Sequence, residues 1–301
     1  MSGMRRAVGL EHLTLLDVAP PEFVTLAAGA GFDAVGLRIA PVAPGEEPWP
    51  MSLGSPMLAE TRRRCADAGV AVHAVEAIVI RPGAGLSGCE RVIETAAALG
   101  ARFLNVICDD PDTERFSDLF AALVPQAWDA GVRPVIEFTA WRPVRRLADA
   151  VSIAQRSGGG RILLDSLHIQ RCGVTLAELS QVPPALLSYL QLCDAPLRQP
   201  HGPLVPAGAL VSAGPLAQAS PLAQASTGPG RPPEPDDTAV AEARAMRLLP
   251  GEGELPLTGL LDLLPAGLIV SVEAPSAAAR SAASPAEYAA RARRAVRRLA
   301  G

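Results

Sequence analysis

The chain runs to 301 residues, 49% of them hydrophobic, with a formal net charge of -4 at neutral pH. That is enough apolar material for one large α/β core, and the acidic balance, with no basic face before the last helix, argues against the nucleic-acid backbone as a partner. All 27 basic residues are arginines, and without a lysine amine Schiff-base aldolase chemistry, an internal imine to pyridoxal phosphate and a Walker-type nucleotide site are excluded.

From the N-terminus onward, short apolar runs alternate with amphipathic Ala/Leu-rich stretches, the pattern of repeated βα units and a parallel sheet. The predicted strands are Leu10 to Leu16, Ala34 to Ile39, Val70 to Ala77, Phe103 to Ile107, Val132 to Phe138, Ile162 to Leu164, Ser188 to Leu192 and Leu268 to Val272. Eight such strands predict an α/β fold of the closed (β/α)8 TIM-barrel type. Pro20-Pro21-Glu22 opens the first helix, and Ser284-Pro285-Ala286-Glu287 is a capping box with proline at the first helical position. The units at 30–35, 68–72, 99–104 and 130–135 share a glycine that ends a helix in the left-handed conformation and turns the chain into the next strand. Arg291, Arg293, Arg294, Arg297 and Arg298 crowd the end of the last helix, where cations complement the macrodipole on a solvated face.

The alternation breaks at about 198–238, a Pro/Ala/Gly/Ser-rich stretch containing a tandem repeat, Pro215 to Ser220 and Pro221 to Ser226. Such a composition builds no core, so it is expected to be a flexible insertion after the seventh strand of a single domain spanning 1–301. No apolar run approaches the roughly 20 residues that span a bilayer, and no signal pattern opens the chain, so the expected location is cytoplasmic and away from membranes. Cys65, Cys89, Cys108, Cys172 and Cys193 form no C-x-x-C pair, which indicates neither a disulfide framework nor a zinc-thiolate site.

Four apolar runs end in an oxygen ligand: Val135-Ile136-Glu137, Ile162-Leu163-Leu164-Asp165, Tyr189-Leu190-Gln191 and Val270-Ser271-Val272-Glu273. Carboxylates at the ends of buried strands repel one another unless protons or a cation intervene. Glu137, Asp165, Gln191 and Glu273 are therefore the expected ligands of one divalent metal, and their all-oxygen character favours Mn2+ or Mg2+, with Co2+ tolerated. His168, three residues after Asp165, is placed to polarise a substrate oxygen or shuttle a proton. Glu76 and Asn105 are expected on the opposite rim, Arg171 against an anionic substrate group, and His73 in packing. The loop Arg247 to Pro256 brackets Glu252 with Gly251 and Gly253, a tight turn whose backbone amides can approach a ligand, which makes Glu252 a substrate-binding candidate.

The strand-end glutamate, the Asp-x-x-His unit, Gln191-Leu-Cys-Asp194, the Pro-Gly-x-Gly loop, the last-strand Val-Glu and the opening Gly29-Ala-Gly-Phe-Asp-Ala-Val-Gly-Leu-Arg38 together resemble the sugar phosphate isomerase/epimerase superfamily, the xylose isomerase-like TIM barrels. The resemblance covers about residues 7–297 outside the insertion. It implies a metal-dependent sugar or sugar-phosphate isomerase or epimerase, in which Glu137 and Glu273 move a proton through an enediolate with His168 assisting. It also implies a small carbohydrate substrate and a homo-oligomer. Gln191 departs from the commoner histidine. A metal-dependent dehydratase or lyase would use nearly the same residues, and a barrel that binds sugar without turnover is the alternative from a different class.

Overall fold

A computed structural model describes residues 6–43, 45–200 and 237–299. Eight parallel strands close into one barrel in sequence order, β8 pairing back onto β1. The strands are β1 (Val8–Glu11), β2 (Ala34–Arg38), β3 (Ala71–Ile80), β4 (Phe103–Cys108), β5 (Arg133–Glu137), β6 (Arg161–Asp165), β7 (Leu187–Leu192) and β8 (Ile269–Val272). The helices around them are α1 (Pro20–Ala30), α2 (Pro56–Ala68), α3 (Cys89–Ala98), α4 (Thr113–Asp129), α5 (Leu147–Arg156), α6 (Ser166–Arg171), α7 (Leu176–Ser180), α8 (Asp237–Ala245), α9 (Leu257–Leu263), α10 (Ala277–Ala282) and α11 (Pro285–Leu299). The expected insertion at about 198–238 lies outside the described residues except at its two ends. Among the described residues no helix is long and apolar enough to cross a membrane.

The turn glycines act as their positions require. Gly31, Gly69, Gly100 and Gly131 all have positive φ, between 66° and 81° for the last three and 83° for Gly31, so each helix end reverses into the following strand without the steric cost of a Cβ. The capping box at Ser284 forms as written, with the Glu287 amide donating to Ser284 Oγ at 3.3 Å and the Ser284 amide donating to Glu287 Oε2 at 2.9 Å.

The barrel is filled. Phe103 of β4 stacks on Tyr189 of β7 with ring centroids 5.4 Å apart, and the His73 ring of β3 meets Tyr189 edge-on at 5.0 Å. Neither β3 nor β4 is a neighbour of β7 in the sheet, so the contacts cross the lumen and fill it. Truncating a buried aromatic of this kind costs about 3–5 kcal/mol.

Strand β1 is shorter than the sequence suggested. The expected strand Leu10 to Leu16 stops at Glu11, and His12–Leu15 form a 3-10 turn. Thr14 holds that turn against the end of β8, its Oγ1 donating to Val272 O at 3.2 Å and accepting the Ala274 amide at 3.1 Å. An apolar run carries no mark of this long-range tie. Conversely, β3 continues to Ile80, three residues past its expected end.

Candidate active site

Strand registers decide what meets at the mouth. Asp165 lies opposite Gln191, and Arg38 opposite Glu76. Together with Glu137 at the end of β5 and Glu273 just after β8, these residues line the carboxyl end of the barrel, where loops and side chains are free to vary. Glu76, Asn105, Glu137, Asp165, His168, Gln191 and Glu273 are all buried there.

The β5–β8 side is organised around a guanidinium. Arg247, 2% exposed, follows α8. Its Nε donates to Ala243 O at 2.7 Å, its Nη1 to Asp165 Oδ2 at 2.5 Å, and its Nη2 faces Glu273 Oε2 at 3.1 Å. Asp165 is thereby spent twice, since its Oδ1 accepts the Leu167 and His168 amides at 2.8 and 3.0 Å and caps α6. Burial alone would raise its pKa, but Arg247 and His168 together hold it below the ordinary value. Glu137 has no cation of its own. It accepts one bond from Asn105 Nδ2 at 3.0 Å and faces His168 Nε2 at 3.5 Å. Burial, then the charge of Asp165, push its pKa up to about 8. Burial likewise drives Glu273 well above the ordinary carboxyl range against the pull of Arg247, with Glu76, Asp165 and Glu137 adding repulsion. His168 is driven the other way, down to about 4, mainly by burial. It is therefore a neutral imidazole near pH 7, with its ring against the edge of Trp141 at 5.0 Å.

The β1–β3 side is paired residue by residue. His73 Nε2 donates to Glu11 Oε1 at 2.8 Å, and Arg38 forks onto Glu76 Oε2 from Nε at 3.1 Å and Nη2 at 2.8 Å. Gly36 makes room for this arrangement, because a Cβ there would lie 1.7 Å from Glu11 Oε2. Gln191 joins the two sides, its Nε2 donating to Glu76 Oε1 and to Glu273 Oε1, both at 3.0 Å.

Arg247, Glu11 and Arg38 were not among the site residues expected from sequence. Arg247 stood at the head of the Pro-Gly-x-Gly segment, but nothing in a chain of 27 arginines separates a buried one from a solvated one. His73, expected only in packing, is also the partner of Glu11. Two expected substrate-binding residues are engaged elsewhere. Arg171 donates to Glu242 at 2.8 and 2.6 Å and to the carbonyls of Leu197 and Pro196 at 3.0 and 2.8 Å, clasping α6 to α8 and to the chain after β7. Glu252 is exposed and faces Arg291 of α11 at 3.3 Å. The loop around it is held by Asp194, which accepts the amides of Gly251 and Leu255 at 2.9 and 3.0 Å.

Two separate groups of buried donors could hold a divalent cation, and neither joins Glu273 to Glu137 and Asp165. Glu137, Asp165 and His168 each offer an atom within 4.8 Å of the others, as do Glu11, Glu76 and Glu273. Gln191 Oε1, Asn105 Oδ1 and His168 Nδ1 are buried with no hydrogen-bond partner, a costly condition that a ligand or ion relieves. Three carboxylates against one guanidinium also leave surplus negative charge. Asp165 Oδ2 is open to an ion only if Arg247 Nη1 withdraws from it.

A model of the xylose isomerase-like TIM barrel family matches residues 24–299. Among solved structures, the chain is similar to a xylose isomerase-like TIM barrel/4-hydroxyphenylpyruvate dioxygenase fusion protein (20% identity, TM-score 0.72), covering 98% of this chain but 43% of the fusion. It is also similar to the IolI protein with a binding zinc atom (16% identity, TM-score 0.71, 98% of each chain). A D-psicose 3-epimerase crystallised in the presence of D-fructose matches at 13% identity and TM-score 0.63, over 98% of this chain and 100% of that one. At these identities the likeness concerns the fold. No curated protein matches significantly.

Proposed function

The chain belongs to the xylose isomerase-like TIM barrel family, and from that premise we propose that it is an isomerase or epimerase of a small polyhydroxy carbonyl compound, working by proton transfer through an enediolate. The observation that carries this reading is geometric: two buried strand-end glutamates, Glu137 and Glu273, stand at one barrel mouth, Glu137 beside Asn105 and His168 and Glu273 beside Gln191. Burial and the charge of Asp165 raise the Glu137 pKa to about 8, and a carboxyl whose pKa lies near the working pH both takes and returns a proton efficiently. Glu137 removes the proton from the carbon next to the carbonyl, and Glu273, across the mouth, delivers or receives it on the other face. Asn105 Nδ2 holds the Glu137 carboxylate in place from one side. Neutral His168 is a donor or acceptor for a substrate oxygen, and with a pKa near 4 it is a much weaker base than Glu137 for the carbon-bound proton.

The residues that would hold a divalent cation are Glu137, Asp165, Gln191 and Glu273, with Mn2+ or Mg2+ best suited to mostly carboxylate and amide oxygens. Bound there, such an ion supplies Lewis acidity that makes the carbon beside a substrate carbonyl acidic. Arg247 bridges Asp165 and Glu273, and its Nη1 would have to leave Asp165 Oδ2 for that ion to enter.

The test is incorporation of solvent deuterium into substrate carbon, followed by NMR across ketoses, ketose phosphates and hydroxy-keto acids in the presence of Mn2+, Mg2+ or Co2+. Exchange in the wild type that falls about 10²–10⁴-fold in Glu137→Gln is expected for loss of a general base. Exchange untouched in both Glu137→Gln and Glu273→Gln overturns the two-glutamate mechanism. Loss of water from the substrate in place of reprotonation would assign elimination, the dehydratase chemistry of the same residues.

A further inference from the structure

One cation at the mouth has no task in the scheme above. Arg244 lies in the last turn of α8, three residues before Arg247, and the end of that helix is pinned over the site. Glu242 is ion-paired to Arg171 at 2.6 Å, and Ala243 O receives Arg247 Nε at 2.7 Å. Arg244 is half-buried and close enough to Arg38 at the end of β2, and to Arg142 in the loop after β5, to feel both charges.

These three arginines differ in what they already hold. Arg38 is committed to Glu76, with its Nη1 3.5 Å from Glu46 Oε1. Arg142 is ion-paired with Asp109. Arg244 has no hydrogen bond or ion pair among the described residues. The one carboxylate that attracts it, Glu46, is occupied, since its Oε2 accepts the Val42 and Ala43 amides at 3.2 Å each and its Oε1 faces Arg38. Burial, followed by repulsion from Arg38 and then Arg142, lowers the Arg244 pKa against the pull of Glu46. A half-desolvated guanidinium without a counter-ion among the described residues is an unfavourable arrangement that an incoming oxyanion relieves.

We propose that Arg244 is an anion-binding residue at the mouth of this site, and that the substrate is a polyhydroxy carbonyl compound bearing a carboxylate. The inference rests on the isomerase reading for the substrate's other end, and deepens it by naming the group that anchors the molecule. A carboxylate is the better match than a phosphate on two counts. The Arg38 and Arg142 charges are already offset by Glu76 and Asp109, so one positive charge remains for one negative charge, whereas a phosphate dianion would keep a charge unmet. The planar fork of a guanidinium also meets a planar carboxylate with two parallel N–H···O bonds. Held by its carboxylate at Arg244, the substrate extends its hydroxyl and carbonyl groups toward Glu137, His168 and Glu273.

Ligand-dependent melting of the full chain tests this without requiring turnover. The probes are sodium D-gluconate, D-sorbitol and D-sorbitol 6-phosphate at matched ionic strength. Gluconate is expected to raise Tm above sorbitol in the wild type, with an apparent affinity at least about tenfold weaker in Arg244→Gln, a loss of about 1.4 kcal/mol, and partly restored in Arg244→Lys. Equal responses to gluconate and sorbitol, an undiminished gluconate response in Arg244→Gln, or a stronger response to sorbitol 6-phosphate each overturn the proposal. The same titration on Glu137→Gln separates the two readings. A gluconate response that survives there while no variant or wild type exchanges deuterium leaves the anion subsite standing and removes the isomerase reading; exchange with only neutral substrates does the reverse.

Discussion

On the β1–β3 side of the barrel mouth each carboxylate has a cation or imidazole of its own, Glu11 with His73 and Glu76 with Arg38. On the β5–β8 side Asp165 and Glu273 share the guanidinium of Arg247, and Glu137 meets only the neutral imidazole of His168, at 3.5 Å. Both sides are equally buried, so desolvation does not separate them; the supply of positive charge does. Where pairing is complete the charges are scaffold. Where it falls short, protonation equilibria move toward neutrality, and Glu137, at about 8, becomes a group that can trade a proton near pH 7. Surplus charge of one sign, more than burial itself, distinguishes the half proposed to be reactive.

The largest effect expected from this contrast follows removal of either guanidinium. Arg247→Met leaves Asp165 and Glu273 as buried, uncompensated acids and should cost about 3–5 kcal/mol in urea unfolding, as breaking a buried pair does. Arg38→Met should cost a similar amount through Glu76. The two halves should then part. Mn2+ at millimolar concentration should recover stability in Arg247→Met, where it supplies the missing charge among several oxygen ligands, and should recover little in Arg38→Met. Equal recovery in both variants would erase the distinction between a paired and an unpaired half.

This contrast also explains what could be read from the sequence. The barrel was legible because βα periodicity and turn glycines are local signals, and seven of the eight strands lie within three residues of their expected ends. Glu137, Asp165, Gln191 and Glu273 were legible because an acid or amide closing an apolar run is anomalous wherever it occurs. Arg247 was not, since its role depends on a register between α8 and β6 across 82 positions. Glu11 was hidden for another reason. It sits inside an apolar run that was assigned as a longer strand, and only the turn at His12–Leu15 brings it to the end of β1. Arg171 and Glu252 carry the right chemistry in the right loops, but which partner captures a long side chain is decided by neighbours distant in sequence.

An intermediate effect is expected from pH. In the metal-free protein the folded state binds more protons than the unfolded chain between the ordinary carboxyl value of 4.5 and about 8 at Glu137, and Glu273 behaves in the same sense. Stability from these two groups therefore falls as pH rises through that window. His168 and His12 work oppositely. Their folded values near 4 lie below the ordinary 6.5, so the unfolded chain holds more protons between the two, and stability rises with pH there. The contributions offset up to pH 6.5; above it only the carboxyl contribution remains. Thermal or urea unfolding should lose on the order of 1–2 kcal/mol between pH 6.5 and 8 from Glu137 alone, with Glu273 adding to the loss in the same sense, and Mn2+ should flatten the loss by holding the carboxylates ionised. Stability that rises across this interval without metal would show that the β5–β8 acids are not in surplus.

The smallest effect belongs to Glu252, the expected substrate ligand that the fold places beside Arg291. Its pairing is solvent-exposed, with side chains 45% and 40% accessible, and such pairs contribute at most about 1 kcal/mol. Glu252→Ala should therefore change stability by less than that and leave deuterium exchange within about twofold of wild type, because the shape of the loop is carried by Asp194. That carboxylate accepts the amides of Gly251 and Leu255, and Gly253 approaches it so closely that a Cβ would lie 2.5 Å from Asp194 Oδ1. Asp194 itself follows β7 by two residues and pairs through its backbone with Leu248, at 2.9 Å in both directions. The Pro-Gly-x-Gly segment thus fixes the residue next to Arg247 onto the strand that carries Gln191, and its contribution to the site is the position of a guanidinium. A drop in exchange of more than about tenfold in Glu252→Ala, with folding intact, would instead put the carboxylate on the substrate and require the loop to move.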